Sequence, residues 1–266
     1  MTIDLDRITH PLRLAQGSHQ PGSGKGCAMN VISYINGDTV ITDYPKCSAR
    51  PLARLVQQCN DELADSDGFL TPENSVLVLD LGWQTVGTAD VPESVMLRWL
   101  RDILVDPVHG VVRHARPDGV AAISRVAELC ARQASGVEVS GAEWRSAQAA
   151  AYDAYATAVN AAAYTAVNAN AAADAADAAD AANAAAYTAI NAANAAGVAA
   201  ANAAYAANAA YAAGVAAASD AGGAQVEFTR WAIARWRDLA GLDTPRDIVT
   251  KEVDDALARI NAGMPK

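Results

Sequence analysis

The sequence predicts an all-α protein: a small helical N-terminal domain, then an alanine-rich helical hairpin or bundle with close helix packing. Three observations carry this. Apolar residues recur at three- and four-residue spacing in segment after segment, the period of a half-buried helix. No stretch shows the strict apolar/polar alternation of a half-buried strand. From about Ala147 to Ala221 the chain is almost entirely Ala, with Asn, Asp, Tyr and a few Val. Ala is the best helix former, and a flexible linker would carry Gly, Ser and Pro instead. The expected division is a helical domain over 1–139 and an alanine-rich module with C-terminal capping helices over 140–266.

Taken in order, residues 1–26 read as an irregular lead-in punctuated by Pro11, Gly17, Pro21, Gly22, Gly24 and Gly26. A first helix is expected from Cys27 to Asn36, buried through Met29, Ile32 and Ile35 and stopped by Gly37. A second, capped by Ser48 and with Pro51 in its first turn, runs to about Leu63 on Leu52, Leu55, Val56 and Cys59. Thr71-Pro72 starts a third, which makes Val76–Leu81 helix although its composition also suits a buried strand. Pro92 opens a fourth to about Val105, with Val95, Met96, Trp99, Leu100, Ile103 and Leu104 inward. After a loop over 106–117 a fifth spans 118–134. Ser140-Gly141-Ala142-Glu143 is a capping box that leads through Trp144 into the alanine stretch. Beyond it come a helix over Val226–Leu239, ended by Gly241, and a last one capped by Thr244-Pro245 and running to Asn261. Ile248, Val249, Val253, Leu257 and Ile260 form its expected inner face.

As one rod the alanine stretch would be roughly 110 Å long. Its side chains argue for a turn instead. At the helical step Tyr152, Tyr155 and Val159 share one stripe, while Tyr187, Ile190, Val198 and Tyr205 share another with Val215 close by. Asp174 and Asp177 would fall on an extension of the first stripe, so a turn or a change of partner is expected near 168–182. These eight Tyr, Val and Ile residues are the expected packing anchors. With methyl groups at the contact, helix axes approach at the low end of the usual range. Each Ala buries little, so the gain is a sum over many contacts.

Composition narrows the function. The net charge of −10 argues against nucleic acid, which needs a basic patch, and against an anionic membrane surface. The four Cys, at 27, 47, 59 and 130, include no pair at CxxC spacing, which argues against a structural zinc site or disulfide framework. No cofactor and no metal are expected. The N-terminal MTIDLDRITHPLRLAQ lacks an apolar core of signal-peptide length, and a cytoplasmic location is expected. Gly22-Ser23-Gly24-Lys25-Gly26 invites a phosphate-loop reading. That pattern requires an earlier Gly, where His19 stands, and Ser or Thr after the Lys, where Gly26 stands.

One set of residues could carry chemistry. His19, Cys27, Asp43 and Cys47 offer a thiol, an imidazole and a carboxylate, the materials of a nucleophile set or a metal site if the fold brings them together. Equally, Cys serves as a small buried hydrophobe and Asp before Tyr-Pro as a turn residue. The runs Gly17-Ser18-His19, Gly26-Cys27-Ala28-Met29, Asp43-Tyr44-Pro45-Lys46-Cys47 and Asn60-Asp61, with Val86-Gly87-Thr88 and Trp99-Leu100-Arg101 after them, resemble a group of uncharacterised proteins of actinobacteria and their phages. The resemblance covers residues 12–105 by motif and the alanine stretch by composition. This chain has Asn30 where the group tends to have Glu, and Tyr44 where it tends to have His. The resemblance implies no particular activity. The expectation is a non-enzymatic interaction or assembly protein that binds itself or a host protein. The alternative is a thiol- or metal-dependent hydrolase using His19, Cys27, Asp43 and Cys47.

Overall fold

The computed structural model describes residues 7–20, 22–115, 117–167 and 221–262. Tyr187, Ile190, Val198, Tyr205 and Val215 lie outside the described residues, as does the side chain of Val159. Among the described residues the architecture is all-helical, with no strand beyond two isolated bridges, Ala15 with Phe69 and Ser48 with Val86. The eight α-helices among the described residues are α1 (Ala28–Asn36), α2 (Arg50–Glu62), α3 (Pro72–Gln84), α4 (Glu93–Val105), α5 (Pro117–Ala134), α6 (Gly141–Val167), α7 (Ala221–Ala240) and α8 (Thr250–Asn261). A 3-10 turn, Val111–His114, lies between α4 and α5.

The chain forms two compact units, one of residues 1–90 with 241–266 and one of residues 91–240. Residues 139 and 140, the expected boundary, fall inside the second unit, between α5 and α6, which pack together.

In the first unit α1 packs on α2, α3 and α8. Met29, Val31 and Ile32 of α1 are fully buried, as are Leu52, Leu55, Val56 and Cys59 of α2. The α1 stop is the expected one: Gly37 sits at φ 76°, and its N–H closes back on Tyr34 O. Only glycine takes that left-handed position without strain. Where α3 crosses α1, a Cβ on Gly82 would lie 3.3 Å from Ile32 Cγ1, so the missing side chain sets how near the two helices come. Thr71 caps α3, its hydroxyl accepting from Asn74 N–H at 3.2 Å, and Pro72 takes the first helical position.

Two helix starts differ from the sequence expectation. Ser48 does not cap α2: the helix begins at Arg50, and the Ser48 hydroxyl bonds Thr85 Oγ1 at 2.7 Å instead. Nor does Thr244-Pro245 start the last helix. Residues 244–249 are non-helical and α8 begins at Thr250. The Trp83 indole N–H donates to Arg246 O at 2.6 Å, which commits that backbone to a tertiary bond. Ile248 is buried as expected, but Val249 is 48 % exposed.

In the second unit α4 packs on α5 and α7, and α5 on α6. Trp99 of α4 is at the centre. Its N–H donates to Ala232 O at 2.8 Å, and its ring meets Trp236 edge to face at 5.2 Å. Leu97, rather than the expected Met96, completes the buried face of α4. The α6 capping box is present as the sequence predicts. Glu143 N–H donates to Ser140 Oγ at 3.2 Å, and Ser140 N–H donates to Glu143 Oε2 at 3.0 Å. The buried seam of α6 is Trp144, Ala147, Ala151 and Ala154, alternating steps of three and four. Tyr152, expected on the packing face, is 49 % exposed, and Tyr155 is half-buried. The seam follows the methyl groups because a tyrosine there would hold the neighbouring helix off.

Candidate functional site

Of the residues singled out for chemistry, Cys27 and Asp43 meet at the N-terminus of α1, where the side chains around them hold backbone. Cys27 is the N-cap of α1. Its own N–H donates to Asn30 Oδ1 at 3.0 Å, and the N–H groups of Asn30 and Met29 point at its sulfur. Ala28 N–H donates to Asn60 Oδ1 at 3.1 Å. The other end of the Asn60 amide donates to Ala15 O at 2.9 Å, while Ala15 N–H donates to Gly26 O, also at 2.9 Å. Asn60 of α2 thereby ties the lead-in to the first turn of α1. Its neighbour Asp61 accepts from Gly17 N–H at 2.8 Å.

These bonds dispose of the phosphate-loop reading. An anion at a helix start needs free backbone donors. Here the first-turn donors of α1 are engaged by Asn60 and Cys27. Lys25, the would-be phosphate ligand, lies 5.3 Å from the Phe69 ring centroid, and Arg13 lies over the same ring at 4.0 Å.

Of the four candidate residues the structure joins two. The Cys27 thiol donates to Asp43 Oδ1 at 3.6 Å, and the Asn30 amide donates to the same oxygen at 2.9 Å. Cys27 is 1 % exposed. Burial, and then the Asp43 carboxylate, push its thiol far up, against the pull of the Asn30 and Met29 N–H groups. A protonated, enclosed thiol is a poor nucleophile. His19 is engaged with Ala15 O at 3.2 Å through Nε2, and Cys47 with the Ser48 hydroxyl at 3.7 Å. Cys47 is the half-exposed one of the four cysteines, its thiol also raised by burial. Among the described residues no three His, Cys, Asp or Glu side chains stand close enough together to hold a metal ion.

The other motif residues are ties as well. Gly87 N–H donates to Cys47 O at 2.8 Å, and Ala49 N–H donates to the Thr88 hydroxyl at 2.8 Å. Thr85 and Thr88 in turn donate to Gly82 O and Thr85 O. Val86-Gly87-Thr88 is thus the latch that seats the start of α2 on the end of α3.

Sequence reasoning missed the interactions that cross long separations. Asp102 of α4 is buried and accepts from Arg235 Nε of α7 at 2.7 Å. His109, in the loop after α4, stacks on Trp231 of α7 with centroids 4.6 Å apart. The Asp254 carboxylate of α8 collects Thr9 N–H, Thr9 Oγ1 and His10 N–H at 2.7–2.9 Å. Local sequence gives no sign of any of these, because each partner is more than a hundred positions away. No helix among the described residues is long and apolar enough to cross a membrane. Compared with protein-family models, with curated proteins and with solved structures, the chain matches none.

Proposed function

We propose that the protein is a non-enzymatic interaction protein that assembles through its alanine-rich helical module, with a second copy of itself as the partner. One observation carries this reading. The first four turns of α6 bury Trp144, Ala147, Ala151 and Ala154 and turn Tyr152 outward, 49 % exposed. Tyrosine combines a large contact area with little conformational freedom to lose, which is why it recurs at interfaces. Ala149 and Ala156 are also exposed and lie three and four residues either side of it, so a second helix could approach as closely as α5 does.

The N-terminal motifs support the same reading: Cys27 caps α1, Asp43 accepts from Cys27 and Asn30, His19 meets Ala15 O, and Cys47 meets the Ser48 hydroxyl. The hydrolase alternative requires a reachable Cys27, and the burial of that thiol counts against it. An actinobacterial or actinophage setting belongs to the proposal through the sequence resemblance.

Light scattering coupled to size exclusion tests it. The expected result is a mass of at least twice 27.5 kDa that falls to the monomer value in Tyr152→Asp. A monomer at all concentrations, with no partner retained by immobilised protein, contradicts it.

A further inference from the structure

We propose that Asn36-Gly37 is a self-modification site: Asn36 loses its side-chain amide, and the carboxyl group left in its place unfastens the loop 38–46 from α1. This does not depend on the assembly reading. Asparagine followed by glycine is the pair most prone to this reaction. A glycine nitrogen, with no side chain beside it, reaches the neighbouring amide carbon unhindered. Of all the asparagines in the chain, Asn36 alone has Gly after it.

Both residues are exposed at the last turn of α1, where helices fray. While the turn is closed, Gly37 N–H donates to Tyr34 O and Asp38 N–H to Ser33 O, both at 3.1 Å, and the Gly37 nitrogen is held. When the turn opens, that nitrogen gives up its proton to hydroxide and attacks Cγ of Asn36. The Cγ–Nδ2 bond breaks, and Nδ2 leaves as ammonia with a proton from water. A succinimide ring remains. Water opens it at either carbonyl, which returns a proton to the Gly37 nitrogen and leaves aspartate or isoaspartate at 36. The net change is one water consumed and one ammonia released.

The group that leaves is one that fastens the loop. Asn36 Nδ2 donates to Asp38 Oδ1 at 2.7 Å. Asp38 Oδ2 accepts from Ser33 Oγ at 2.8 Å and from Lys46 N–H at 3.3 Å, while Thr42 N–H donates to Ser33 Oγ at 3.3 Å. Both ends of the loop therefore depend on one carboxylate beside one amide. Turning the amide into a carboxylate puts like charges where a donor stood. Isoaspartate also adds a main-chain carbon, which takes the Gly37 and Asp38 N–H groups out of register with their carbonyls. The loop carries Asp43, the acceptor of the Cys27 thiol and the Asn30 amide, so its release reaches the start of α1.

The test uses the full chain, aged in warm, mildly alkaline buffer beside a portion unfolded in urea. Trypsin frees residues 26–46 by cutting after Lys25 and Lys46, and tandem mass spectrometry locates the amide turned acid. Asn36 is expected to convert ahead of every other asparagine, more slowly in the folded chain because the closed turn holds Gly37. Hydrogen exchange of the Thr42 and Lys46 amides is expected to quicken at least about fivefold in the aged chain, and from the outset in Asn36→Asp. Asn36→Gln, which would have to close a larger ring, stays unconverted, and its exchange does not change with ageing. Asn36 left intact while the unfolded portion converts, or a converted chain whose Thr42 and Lys46 amides exchange as in fresh protein, overturns the proposal.

Discussion

The two units are held together by different means. In the unit built on α1, α2, α3 and α8, polar side chains reach across the chain to backbone: Asn60 to Ala28 and Ala15, Asp61 to Gly17, Thr88 to Ala49, Asp254 to Thr9 and His10. In the unit built on α4–α7, rings and methyl groups fill the interior, Trp99 on Trp236 and the α6 alanines on α5, with ion pairs toward the edge. The difference explains why the first unit looks like an active site in the sequence. Tying an irregular lead-in to helix ends takes donors and acceptors at fixed places, and Asn, Asp, Thr and a capping Cys are also the residue types of catalysis. Among its described residues the second unit has few backbone groups to satisfy outside its helices, so its sequence reads as plain packing.

The sharpest way to break the comparison is at Asn60. Asn60→Ala leaves the buried N–H of Ala28 without its acceptor and the Ala15 carbonyl with His19 Nε2 alone, and the side chain is fully enclosed. We expect a loss of about 1–3 kcal/mol, read as a lowered urea midpoint. If the loss is below about 0.5 kcal/mol, the tie is not what holds the lead-in.

In the second unit the corresponding weak point is backbone clearance. Gly110→Ala forces a methyl against Asp106 backbone atoms at 2.4 Å. It should cost about 1–3 kcal/mol by the same measurement. Asp102→Ala removes the buried acceptor of Arg235 but leaves that guanidinium its bond to Asp238. The expected loss is about 1–2 kcal/mol.

The start of α6 supplies a pH test. The backbone N–H of Ser140, then Arg132 and the Ser140 hydroxyl, pull the Glu143 carboxyl from its ordinary 4.5 down to about 2. A depressed carboxylate stabilises the fold above its unfolded value, and that contribution is lost as pH falls through the folded one. The first turn of α6 should therefore fray between about pH 4.5 and 2, seen as selective loss of amide protection at residues 143–145. Glu143→Gln should show no such step. Tyr152→Ala comes last: exposed and unneeded by the seam, it should change stability by less than about 0.5 kcal/mol while still weakening assembly.

Much of the fold was legible because helices announce themselves locally. The Ser140–Glu143 box, Thr71-Pro72 and Gly37 each fix a terminus through contacts within three or four residues, and each stands where the sequence places it. Ser48 and Thr244-Pro245 misled for one reason. They are good caps by type, but a tertiary partner claimed the Ser48 hydroxyl and the backbone after Pro245. Tyr152 misled through size: a large aromatic suggests a core, whereas a seam of methyl groups has no room for one. Of the candidate site, the residue types were readable, and their convergence was not. That His19 and Cys47 turn to Ala15 and Ser48 was not, since it depends on how the lead-in folds back.

Thiol accessibility in the native state is the most direct test of the central claim, that the reactive-looking residues of the first unit are structural. Brief alkylation at neutral pH, mapped by mass spectrometry, should label Cys47 first and leave Cys27, Cys59 and Cys130 protected until the chain unfolds in urea. Cys27 alkylated in the folded protein as fast as Cys47, or faster, would mean an open, activated thiol and would contradict the account.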